Sequence, residues 1–177
     1  MITPGGVELV WPVGPPQERV GTGLPAGWSI AVGFNADYWL GVHTGIDLNL
    51  PGESDFGQPV YAVADGVVVF AGELPGTWGR AVLIHHPHLG LWSQYAHLSA
   101  VDVAAGQHVT QGQRIGACGN GATSGHGPTV SAHVHFELRK ADIPAGRWPS
   151  GLAKSQAPSV HRYIMTNYVD PVGRLGA

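Results

Sequence analysis

A single cysteine, Cys118, stands among 177 residues, which excludes an intrachain disulfide and any small scaffold held together by bridges. Its setting, IGACGNG, predicts a buried, inert thiol. Charged residues make up only 12% of the chain, too few for disorder driven by charge repulsion. The net charge is −3, and no run of Lys or Arg exists that could neutralise a phosphate backbone or anionic lipid. That argues against nucleic acid as a partner and against a polybasic membrane anchor. No apolar run approaches the roughly 20 residues that span a bilayer, so membrane insertion is not expected. The opening MITPGGVELVWPVGPP lacks a basic region followed by an apolar one, so no secretory signal is read there. Convincing 3.6-residue periodicity of helical length is missing too, as are heptads, solenoid repeats and low-complexity tracts.

What the chain has in abundance is 27 glycines and 14 prolines, with 44% hydrophobic residues. Both punctuating residues favour tight turns between short strands, and the apolar content suffices for a core burying roughly 70% of the unfolded surface. The expected fold is all-β, with residues 1–10 as an extended segment and residues 11–177 as one domain that starts packing at Trp11. Strands are predicted at 28–34 (WSIAVGF), 42–50 (VHTGIDLNL) and 133–140 (HVHFELRK). The run PVYAVADGVVVFAGEL holds two β-branched stretches broken at Asp65-Gly66, which predicts a hairpin turn. RAVLIHH and LWSQYAHL around PHLG predict another, and GQHVTQGQRIGACG reads as two short strands around a Gln-Gly turn. Residues 141–160 are expected to form a long surface loop.

Ten histidines against nine Lys plus Arg point to metal or proton-transfer chemistry. His43 and Asp47 are four apart. On an extended strand they share a face, with Gly45 between them leaving room for an ion. Taken alone, such a pair is more often structural. His133 and His135 share one strand face while Val134 and Phe136 pack behind, and two buried imidazoles call for something that uses their nitrogens. Tyr95 and His97, at the end of a predicted strand, share another face. Together these residues offer the two His and one Asp of a catalytic zinc site that leaves a fourth position open to water, with two spare histidines for proton transfer. Spacing leaves open which of His133 and His135 would hold the metal.

The strings VHTGIDL, YAHL and SAHVHFELR resemble the three signature segments of the lysostaphin-type (LytM, M23) metallopeptidases. GQPVYAVADGVVVFAG and VTQGQRIGACGNGATSGHGPT resemble the family's connecting pieces in the same order, from about Trp11 to VDPVGRL. The resemblance implies antiparallel sheets framing an open substrate groove. It also implies one Zn2+ held by His43, Asp47 and His135, with His97 and His133 as catalytic histidines that do not bind it. The implied activity is zinc-dependent hydrolysis of peptide bonds in bacterial peptidoglycan by a monomer. Such a chain suits a phage endolysin, a virion-associated lysin with antimicrobial action, or a fragment of a secreted enzyme. Tyr95 is expected to support the oxyanion or orient a histidine. Asn35 is a candidate for an occluding zinc ligand, and His126 for a substrate contact.

Two rival readings stand beside this one. A non-catalytic peptidoglycan-binding or amidase-activating domain would lack ligands that this chain keeps. A structural zinc staple would need a fourth protein ligand, and none is evident. His86 and His88, with His85 in IHHPHLG, are expected to be exposed loop residues, as are His108 and His161. Glu137 and Arg139 are expected to pair structurally.

Overall fold

The computed structural model describes residues 9–39, 41–147 and 156–176. The chain runs through β1 (Ser29–Val32), β2 (Asp37–Tyr38), β3 (Gly41–Val42), β4 (Ile46–Asn49), β5 (Pro59–Tyr61), β6 (Gly66–Leu74) and β7 (Gly79–His86). It continues through β8 (Leu91–Leu98), β9 (Ala100–Val101), β10 (His108–Val109), β11 (Arg114–Ala117), β12 (Val134–Arg139), helix α1 (Pro158–Asn167) and β13 (Tyr168–Val169). The main sheet has the order β1-β4-β12-β8-β7-β6-β10, with β13 added beside β12. A small sheet, β5-β11-β9, covers one of its faces, and β2 pairs with β3. Every pairing is antiparallel. Among the described residues no helix is long and apolar enough to cross a membrane.

Alternation along β12 builds the architecture. Val134, Phe136 and Leu138 enter the main core, where they meet Ile46, Tyr95, Val60 and Ile115 from four other strands. His135, Glu137 and Arg139 occupy the opposite face of the same strand and are also buried. Each fully buried large apolar side chain stabilises the fold by about 1.5–3 kcal/mol. Leu9 and Val10 are already buried here, and Val10 donates to the Val63 carbonyl (3.0 Å), so the packed region includes these two residues.

Three expectations change. Asp65-Gly66 does not close a hairpin, because β5 belongs to the small sheet and β6 to the main one. A Cβ at Gly66 would overlap the His85 carbonyl oxygen, so this glycine serves a close approach of β6 to β7 and not a turn. The strands either side of Gln111-Gly112 likewise part, β10 to the main sheet and β11 to the small one. The third change is α1, ten residues that begin with Pro158 in the first turn. Only Val160 and Ile164 are buried on it, too narrow an apolar stripe to register as helical periodicity.

His86 is a further correction. It is fully buried, with Nδ1 donating to the Asp65 carbonyl (2.8 Å) and Nε2 2.8 Å from Ser93 Oγ. Burial pushes its pKa down to about 4, so it is neutral in the folded chain. The unfolded chain takes up this proton below about pH 6.5. The stability His86 contributes is therefore complete above pH 6.5 and is lost as pH falls towards 4, up to about 3 kcal/mol. Urea midpoints measured between pH 7 and pH 4 should fall less steeply for His86→Gln than for the unaltered chain. Equal slopes would contradict this. His85 stacks on Trp92 (4.3 Å between ring centroids), while His88 and His108 are exposed. Cys118 is fully buried.

Candidate metal centre

β4 and β12 pair with Asp47 opposite His135, and this register sets the two side chains beside each other on the outer face of the main sheet. His43 precedes β4 and is bracketed by main-chain bonds, its N–H to the Ala36 carbonyl (2.8 Å) and its carbonyl to the Asn35 N–H (2.9 Å). The expected convergence of His43 and Asp47 is present, but strand alternation is not what produces it. Gly45 does not make room for an ion either. A Cβ there would overlap the Phe136 carbonyl oxygen and lie 3.0 Å from Glu137 Cγ, so it is glycine that lets the bend after His43 lie against β12.

Three donor atoms form a triangle. His43 Nε2 is 3.0 Å from His135 Nδ1 and 3.1 Å from Asp47 Oδ1, and His135 Nδ1 is 2.9 Å from Asp47 Oδ1. His43 Nδ1 donates to the Gly33 carbonyl (3.1 Å), and His135 Nε2 donates to Glu137 Oε1 (2.9 Å). With those protons committed, the three facing atoms are all lone pairs, an arrangement stable only around a cation or a proton. Burial alone would lower the pKa of His135, yet Asp47 and Glu137 on either side push it up to about 9. Burial likewise disfavours an ionised Asp47, but His135 and His43 hold its carboxyl well below the usual range. The pocket thus favours positive charge. Tetrahedral zinc with ligand bonds of about 2.0–2.1 Å sets its ligands about 3.3 Å apart, close to the triangle's edges. Among the described residues these three are the group able to hold a metal ion, and no fourth ligand closes the site.

Two further imidazoles border the triangle. His133 Nδ1 donates to the Ser131 carbonyl (2.8 Å), which leaves Nε2 3.6 Å from Asp47 Oδ1. His97 Nδ1 donates to the Thr77 carbonyl (2.8 Å), and its ring centroid lies 4.5 Å from that of His133. Burial, reinforced by the neighbouring His133 and His135, keeps the pKa of His97 well below its ordinary value.

Strict alternation would not bring His97 here. β12 pairs His135 with Ala96 and Phe136 with Tyr95, so Ala96 faces the groove and Tyr95 the core. β7 pairs Arg80 with Leu98 and Val82 with Tyr95, which sets Ala96 and His97 together opposite Ala81. This is a bulge, and His97 takes φ 64°, a left-handed conformation rare outside glycine. The extra residue returns the imidazole to the groove face.

Tyr95 is accordingly not a site residue. Its hydroxyl accepts the Val63 N–H (3.0 Å) inside the core, where burial raises its pKa. Asn35 Oδ1 faces His161 Nδ1 (3.1 Å), not the triangle, and His161 is half-buried, with Nε2 on Asp37 Oδ1 (3.0 Å). His126 is exposed and lines neither cleft at the site. Trp78 was not legible from spacing. It sits in the turn between β6 and β7, is stacked on His97 (6.4 Å) and meets His135 edge-on (5.5 Å). The cleft over the triangle, about 120 Å³, has walls of Tyr38, Trp78 and Val130. Beyond Trp39 and His133 a second cleft of about 340 Å³ reaches Asn49 and Ser131.

The chain resembles several known proteins in sequence and fold. The chain is 40% identical over 130 residues to the peptidoglycan DD-endopeptidase ShyA of Vibrio cholerae, which covers 72% of this chain and 26% of that protein. It is 40% identical over 83 residues to the murein hydrolase activator NlpD of Salmonella typhimurium, 47% of this chain and 20% of that protein. The chain therefore spans only about a quarter and a fifth of those relatives. The catalytic domain of lysostaphin from Staphylococcus simulans shares the fold, with a TM-score of 0.59 and 24% identity over 85% of this chain and 93% of that one. Residues 41–147, which include His43, Asp47, His97, His133 and His135, match Peptidase family M23, and the chain belongs to that family.

Proposed function

We propose that this chain is a zinc-dependent endopeptidase that acts at the bacterial cell wall and hydrolyses peptide bonds in peptidoglycan. His43 Nε2, Asp47 Oδ1 and His135 Nδ1 hold the metal, and His97 and His133 are the catalytic pair. The observation that carries this reading is the set of three converging lone pairs bordered by two imidazoles, each of which has Nδ1 tied to a main-chain carbonyl. A bound zinc ion supplies Lewis acidity, polarising the scissile carbonyl and acidifying a water. His97 and His133 move the protons. With Nδ1–H fixed, each offers Nε2 to the cleft, so one can take the proton of the attacking water while the other delivers one to the leaving amine. Trp78 and Tyr38 shield the site from bulk water, which strengthens these interactions.

The test is mass spectrometry of peptidoglycan fragments after digestion with the zinc-loaded chain. New peptide termini should appear, and should be absent with His133→Ala and after chelation. Chelation is expected to abolish cleavage while a cooperative unfolding transition persists, because the main core lies on the far face of the sheet from the metal. Unfolding on chelation would instead indicate a structural staple. The likeness to NlpD makes an activating role the second reading, favoured if zinc is bound and no bond in several peptidoglycan types is cut.

A further inference from the structure

We propose that Glu137 is a positioning residue of the metal centre: its buried carboxylate holds His135 in the tautomer whose Nδ1 faces the metal and couples that ligand to the segment after β12. This inference rests on the reading of His135 as a ligand.

Glu137 is fully buried and its carboxylate is surrounded by donors. Oε1 accepts from His135 Nε2 (2.9 Å) and from the Thr44 hydroxyl. Oε2 accepts from Arg139 Nε (2.8 Å) and, at 3.4 Å, from Gln94 Nε2, and it pairs with the second guanidinium nitrogen, Nη2, at 2.7 Å. An ionised carboxylate can only accept. Towards His135 it is satisfied solely by Nε2–H, and a neutral imidazole protonated there carries its lone pair on Nδ1. That is the atom 2.9 Å from Asp47 and 3.0 Å from His43. Carboxylate partners of this kind fix the ring and raise the basicity of a metal-ligating histidine.

Arg139 compensates the buried charge, and an ion pair two residues apart on one strand would be complete without His135. The additional Oε1 contact is what gives the carboxylate a role at the metal. The same groups reach further along the chain. Arg139 Nη1 donates to the carbonyls of Ile143 (2.5 Å) and Pro144 (3.3 Å), and Gln94 Oε1 accepts the Gly146 N–H (2.8 Å). A route of hydrogen bonds therefore runs from the ligand His135 through Glu137 to residues 143–146.

Glu137→Gln tests this. An amide has one acceptor end and one donor end. With oxygen towards Arg139, its NH2 faces Nε2 and draws the imidazole proton to Nδ1; turned round, its NH2 faces the guanidinium. The zinc dissociation constant, measured by competition with a chromophoric chelator, should rise about 10–100-fold. The visible spectrum of the Co2+-loaded chain should change with it. Arg139→Met breaks the same ion pair but leaves the carboxylate on His135, so it should weaken the fold and spare zinc affinity. Unchanged zinc affinity in Glu137→Gln, or an equal loss in both variants, overturns the proposal. If Glu137→Gln does not fold, the unaltered chain still decides. Zinc loading should slow amide exchange at Gly146, and equal rates with and without zinc overturn the coupling. Failure of the unaltered chain to bind zinc would overturn the metal reading itself, a result distinct from either of these.

Discussion

Replacing His133 or His97 by alanine is expected to lower the rate of peptidoglycan cleavage about 10²–10⁴-fold, the usual contribution of a positioned acid or base, while one zinc per chain stays bound. Neither imidazole belongs to the triangle, since His133 Nε2 stands 3.6 Å from Asp47 and His97 is anchored to Thr77. Metal content measured on the same samples separates this result from loss of a ligand. Cleavage close to that of the unaltered chain would remove the histidine concerned from the mechanism. His97 allows a second, sharper comparison. Its φ of 64° is a conformation that costs an L-residue about 1–2 kcal/mol and glycine almost nothing. His97→Gly should therefore be more stable than His97→Ala by about 1 kcal/mol, with both inactive. Strain of this kind persists where a side chain is needed at a place regular geometry would not supply. A stability order with alanine above glycine would show that the left-handed backbone relaxes once the imidazole is gone.

Gly45→Ala is expected to carry the largest loss of stability, about 3 kcal/mol or more, at the upper end for overpacking. The added methyl has no side chain to push aside. It would meet the main chain of Phe136, directly across the β4–β12 pairing that joins Ile46 to Phe136 and Asp47 to His135. Accommodation requires these two strands to part, and both carry residues of the proposed metal centre, so zinc affinity should fall along with the urea midpoint. A variant as stable as the unaltered chain and equally tight for zinc would show that the bend at Thr44–Gly45 can move independently of β12.

The effect of Gly45 shows how a correct inference can rest on the wrong cause. His43 and Asp47 do converge, yet the glycine between them serves a strand contact 91 residues away in sequence, which no local pattern announces. Tyr95 and His97 failed in the opposite way. Alternation set them on one face, and a single extra residue opposite Ala81 separated them. The all-β character, the hairpin of β7 and β8 and the single buried thiol were legible because each rests on short-range rules. The Asp65-Gly66 signal misled because its glycine answers to the His85 carbonyl across a strand pair. His86 misled because Pro87 marked a turn while nothing local revealed that Asp65 and Ser93 wait to bond the ring.

By itself the sequence determined that strands dominate and that the donor types suit zinc. These follow from covalent geometry and from the chemistry of side chains, which are local. Only the tertiary structure showed that His135 and not His133 stands in the triangle, that a bulge brings His97 to the groove, and that Glu137 lies against His135. His135 meets His43 and Asp47 across 92 and 88 residues of chain, and the distances that select one nitrogen over another arise only when the pairing of β4, β12 and β8 sets their register.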